Sequence, residues 1–170
     1  MEKVKTRIKP IKVLVVGSSG RRGRKVMKFL KDRGFLVFGA DRIAQEEDIK
    51  GTTRFFKLNL RHRDSIWLMF NVVKPHALVY CAIARGNRGN YGTFFSVLSM
   101  AIKFGIKKVM VIVTKPPIHK KPKDLLEIEE LAIVSATQLL AKKHDFKHDV
   151  VTQGDNLLKK IKRFLKERSL

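Results

Sequence analysis

Residues 11–34 read IKVLVVGSSGRRGRKVMKFLKDRG: a β-branched apolar run, then glycines at 17, 20 and 23, then a helical pattern. No other stretch narrows the fold as much. The run Ile11–Gly17 lacks polar alternation, which marks a strand buried on both faces. Val26, Phe29 and Leu30 recur at helical spacing, and Gly34 stands where a helix ends. Between the two, Gly17 allows a tight turn and Gly20 lets a ligand approach the backbone. Gly23 lets the helix pack closely on the strand. A helix starting there offers free N–H groups and the positive end of its dipole to a phosphate. The plainer alternative is a tight turn with no ligand.

The rest of the chain repeats the strand–helix alternation. FLVFGAD, TRFFKLNL, HALVYCAI, KKVMVIVT and HDVVTQG read as strands. RDSIWLMFNVV, NYGTFFSVLSMAIKFG, KDLLEIEELAIVSATQLLAKKH and DNLLKKIKRFLKERSL read as helices, the last with Leu158, Ile161 and Leu165 facing the sheet. Alternation of this kind predicts an α/β fold with about six parallel strands covered on both faces. Right-handed crossovers make it a doubly wound, Rossmann-type sheet. The 170 residues suit a single domain, with a basic arm over 1–10 and a basic helix over 156–170. Asp41 falls at the end of the second strand, where a carboxylate can accept both hydroxyls of an adenosine ribose. As a helix cap it would need no nucleotide.

VLVVGSSGRRG, FGADR, KLNL, HALVYCA and GTFFSVLSMAIKFGIKKVMVIVT together resemble the short-chain dehydrogenase/reductase superfamily, in its extended NAD-dependent epimerase/dehydratase branch. The resemblance implies a cofactor loop of Gly17, Ser19, Gly20, Arg21, Arg22 and Gly23. It implies Asn59 and Leu60 at the adenine, Ala82 near the ribose and nicotinamide, and Thr114 at the substrate-oxygen position. Asp41 repels a 2′-phosphate and favours NAD over NADP, although Arg42, Arg21 and Arg22 can neutralise such a phosphate. Members of this family use a Tyr and a Lys four residues on, one helical turn apart, as acid and base. ELAIVSATQLLAKK puts Ala132 and Ala136 at those positions, with Ser135 beside the second. Tyr80 and Tyr91 are followed at that spacing by Ala84 and Phe95. The family's proton machinery is absent, and only one helix follows the sixth strand, where extended members carry a substrate domain. The expectation is a catalytically degenerate protein.

Charge points to a partner. The chain carries 37 Lys and Arg against 15 Asp and Glu, a formal +22, which attracts phosphate backbones or merely solvates the surface. The dense points are Lys3, Lys5, Arg7 and Lys9 in the arm, Arg85 and Arg88 in ARGNRGNYG, and Lys120 and Lys121 in KPPIHKKPK. Lys159, Lys160 and Arg163 add a stripe to the final helix. RNA or another polyanion is the expected partner, within a ribonucleoprotein such as a ribosome. No metal is expected, because His144 and His148 straddle a helix end without a third ligand. Cys81, the single cysteine, reads as a core residue and fits a reducing compartment. No apolar run is long enough for a membrane span, and MEKVKTRIKPIK lacks the apolar core of a secretory signal. An intracellular, soluble protein of the cytoplasm or an organelle matrix is expected. Three functions stay open: an RNA-docking protein on a dehydrogenase fold, a dinucleotide-sensing module, and an NAD(P)-dependent oxidoreductase or epimerase.

Overall fold

The computed structural model describes residues 10–43, 52–83, 90–113, 125–152 and 156–166. The six apolar runs form β1 (Lys12–Val16), β2 (Leu36–Asp41), β3 (Arg54–Lys57), β4 (Ala77–Tyr80), β5 (Lys108–Val113) and β6 (Lys147–Thr152). They make one sheet in the order β3-β2-β1-β4-β5-β6, and every pairing is parallel. Among the described residues the helices are α1 (Arg21–Lys31), α2 (Arg63–Val73), α3 (Asn90–Lys103), α4 (Leu125–His144) and α5 (Leu157–Lys166).

Parallel strands cannot be joined by hairpins, so each crossover carries its helix across a face of the sheet. Helices α2, α3 and α4 cover one face, over Leu14, Val16, Leu78, Tyr80, Val109 and Val111. Helices α1 and α5 cover the other, over Val13, Val15, Val79, Met110 and Ile112. Burial on both faces explains why β1, β4 and β5 read as unbroken apolar runs. On α5 the buried residues are Leu157, Ile161, Phe164 and Leu165, while Leu158 is only half-buried. The periodicity of the sequence aims the stripe one residue off at its start, because Leu157 and Leu158 are equally apolar and only the docking angle separates them.

Four connections from helix to strand turn through a left-handed residue: Gly34, Lys74, Gly105 and Asp145. All lie at the sheet's N-terminal edge. At the opposite edge the chain order reverses between β1 and β4, so their outgoing connections diverge and open a crevice.

Candidate functional site

The crevice is a cleft of about 720 Å³ above the C-terminal ends of β1, β2 and β4. Its first wall is the glycine loop. Gly17 has φ +80°, and a Cβ there would lie 2.6 Å from Ala82 N and 2.8 Å from Cys81 C. Only glycine lets the loop pass this close to β4. A Cβ on Gly23 would fall onto Gly17 O and within 2.6 Å of Ser18 Cα, so Gly23 seats α1 under the loop rather than lining the cleft. At Gly20 the space is open, the nearest atom to a Cβ being Gly17 O at 3.5 Å.

Ser19 bolts the loop to the end of β2. Its N–H donates to Asp41 Oδ2 at 3.0 Å, and its hydroxyl donates to Ile43 O at 2.6 Å. Arg24 Nε donates to Ser19 O at 2.9 Å, and Asp41 Oδ1 accepts the Arg42 N–H at 2.7 Å. Asp41 thus orients the loop, and its two oxygens keep further lone pairs for other donors.

The N-cap of α1 is Gly20, which makes no side-chain cap, and the first turn holds no acid. Instead Arg21, Arg22 and Arg24 crowd the positive end of the helix dipole, where each cation costs about 0.3–1 kcal/mol. Arg42 and Arg61 also line the cleft, so five guanidiniums face one carboxylate among the described lining residues. Such an excess of positive charge attracts an anion.

The structure brings Gly17, Ser19, Gly20, Arg21, Arg22, Asp41, Arg42, Asn59, Leu60 and Ala82 to this one cleft. Thr114 lies outside the described residues, as do Lys3, Lys5, Arg7, Lys9, Arg85, Arg88, Lys120 and Lys121. Lys159, Lys160 and Arg163 lie on α5, away from the cleft. Sequence reasoning missed Arg24, Ile43, Arg61, Cys81, Ile83 and Thr93 as lining residues. Arg24 had a signal, one helical turn past Gly20; Thr93 had none, because α3 reaches the cleft only through the crossover.

No residue of α4 lines the cleft among the described residues. Ala132 and Ala136 lie half-buried on α4, and Ser135 is exposed. Tyr80 is fully buried, 3.4 Å from Thr93 Oγ1, and burial pushes its phenol above its ordinary range. It cannot stand in as the acid–base group. Among the described residues no group of His, Cys, Asp and Glu is arranged to hold a metal. No described helix is long and apolar enough to cross a membrane.

Burial pushes the Cys81 thiol from its ordinary 9.0 up to about 12, with Arg22 opposing and Asp41 adding to the rise. At pH 7.5 about one thiol in 10⁴ or fewer is ionised, and the thiolate is the nucleophile. Iodoacetamide should therefore leave Cys81 unmodified in the folded protein and react with it in urea; rapid labelling without denaturant would contradict this burial. The folded form holds the proton more tightly, so stability present below pH 9.0 is lost as pH rises toward about 12.

The strand order, the glycine loop at the switch point and the acid ending β2 define a doubly wound, Rossmann-type α/β protein with an open cleft at the switch point. The sequence model of the NAD dependent epimerase/dehydratase family matches residues 13–117, and the chain belongs to that family. No curated protein matches it. Among solved structures it is similar to the Thermus thermophilus UDP-glucose 4-epimerase in complex with NAD, at 17% identity and TM-score 0.74, over 86% of this chain and 58% of that one. It is similar also to the Brucella ovis UDP-glucose 4-epimerase with NAD, at 15% identity and TM-score 0.73, over 84% and 51%. The Bordetella bronchiseptica enzyme WbmG in complex with NAD matches at 17% and TM-score 0.67, over 88% and 54%. The chain thus spans little more than half the length of each of these three.

Proposed function

We propose that the chain binds NAD in the arginine-lined cleft and does so without the acid–base pair of its family. The observation that carries this is the first turn of α1: three arginines at an uncapped helix N-terminus, beside a glycine with open space above it. A pyrophosphate there accepts the free N–H groups and removes the repulsion among the guanidiniums. Asp41 then faces the adenosine ribose, and Asn59 and Leu60 border the adenine end. Three similar structures hold NAD at the same fold, which supports the choice of dinucleotide. Bound NAD supplies a hydride acceptor. Ala132 and Ala136 supply neither proton nor charge, so the residues of this chain orient a cofactor without moving a proton on a substrate.

Calorimetric titration with NAD and NADH should give saturable, one-to-one binding, while UDP-glucose should show no epimerisation over hours. Absence of dinucleotide binding would end the reading, and turnover would restore the enzyme. A second reading is that the protein docks on RNA within a ribonucleoprotein. What favours it is a band of lysines at the other edge of the sheet, far from the cleft, for which NAD binding has no use.

A further inference from the structure

Five arginines line the cleft. At the opposite edge, where helices end and strands begin, Lys12, Lys74, Lys103, Lys107, Lys108 and Lys147 lie together with Arg33 and Arg54. There a second cavity of about 620 Å³ has Ile11, Pro75 and Phe104 as its apolar lining and Lys74, His76, Lys107 and Lys108 as its polar one. Lysines at helix C-termini often serve the helix dipole. Two do so here: Lys12 Nζ donates to Val73 O at 3.2 Å, and Lys108 Nζ donates to Leu165 O at 3.0 Å. Burial, and to a lesser degree the neighbouring Lys147, lower the Lys108 pKa.

Lys107 Nζ donates likewise to Asp145 O at 3.5 Å, just past the end of α4, and lies 3.9 Å from Asp145 Oδ2. Two others do not fit that account: the side chains of Lys74 and Lys103 make no hydrogen bond or ion pair among the described residues. Lys74 is also held at φ 46°, in the left-handed region that glycine or asparagine occupies at lower cost. The chain accepts strain to place a cation on the rim of this cavity. On its other side, His76 Nδ1 accepts the Lys12 N–H at 2.9 Å, which leaves Nε2–H as a donor at neutral charge.

We propose that the N-terminal edge of the sheet binds single-stranded RNA, its lysines following the phosphates and the apolar-lined cavity taking one unpaired base. Lysines as point charges suit a backbone tracked without sequence readout. An apolar floor beside them suits a base face, which only an unpaired strand presents. This rests on the second reading above and is independent of the dinucleotide.

The test measures fluorescence anisotropy of labelled oligouridine with the full chain across a salt series. The triple variant Lys74→Asn, Lys103→Gln, Lys107→Gln should flatten the slope of log K against log salt by about 2, three contacts at about 0.7 each. Lys74→Asn alone should flatten it by about 0.7 and yet raise Tm by about 1–3 °C, because asparagine tolerates the left-handed turn. All variants should keep NAD affinity within error. If the parent binds no oligouridine, the RNA reading itself fails. If it binds and the triple variant keeps the parental slope, only this surface is wrong. Equal or tighter binding to duplex RNA, or to phosphatidylserine vesicles, would overturn the unpaired-base site.

Discussion

Gly20→Asp should raise the stability of the protein and at the same time abolish its affinity for NAD. Gly20 is the N-cap of α1, with extended backbone at φ −68° and ψ 157°, a conformation open to any residue. Its Cβ position is unobstructed. An aspartate there becomes an ordinary helix cap, accepting free N–H groups and neutralising the arginines that follow. The gain is a few tenths of a kcal/mol from the cap and about 0.3–1 from the dipole, a rise in Tm of about 1–4 °C. The same carboxylate occupies the place of the pyrophosphate. Losing two charge-assisted hydrogen bonds at about 1.5 kcal/mol each weakens binding by about 100-fold or more. Differential scanning calorimetry and NAD titration on one preparation read both signs. Unchanged affinity would remove the α1 terminus from the cofactor site, whatever happened to Tm.

Gly17→Ala should cost far more stability than Gly34→Ala, although both glycines have φ near +80°. The left-handed strain of alanine, about 1–2 kcal/mol, is common to both. At Gly34 nothing lies within 4 Å of the new methyl, so strain is the whole effect. At Gly17 the methyl meets Ala82 N at 2.6 Å and Ala82 Cα at 2.7 Å, which are backbone atoms unable to rotate away. Separating the loop from β4 adds about 1–3 kcal/mol. A total near 4 kcal/mol corresponds to a fall in Tm of about 8–16 °C, against about 2–8 °C for Gly34→Ala. Equal losses at the two sites would mean that the loop does not approach β4 as described.

Much of this was legible in order along the chain. Val13 to Val16 carry no polar alternation, and a strand with no wet face has to lie inside a covered parallel sheet. GSSGRRG between that strand and an amphipathic helix locates the proposed anion site, because the chemistry is local: turn, backbone N–H groups and dipole all come from adjacent residues. Asp41 was legible for the same reason, at the end of the next strand. Ala132 and Ala136 were equally legible, as the residues that the resemblance sets at the positions of the tyrosine and the lysine.

What lies beside what was decided by the tertiary structure. Asp41 meets Ser19 across 22 positions, and Thr93 reaches the cleft wall only because α3 crosses the face of the sheet. Leu157 rather than Leu158 is buried because α5 docks at an angle set by the sheet it packs on, not by its own periodicity. The lysines at 74, 103 and 107 are scattered in sequence and read there as ordinary helix ends. They share one edge because every crossover between parallel strands ends its helix at the edge where the next strand begins. The local pattern determined which elements form and where an anion can bind; the crossovers alone gathered distant cations into a surface.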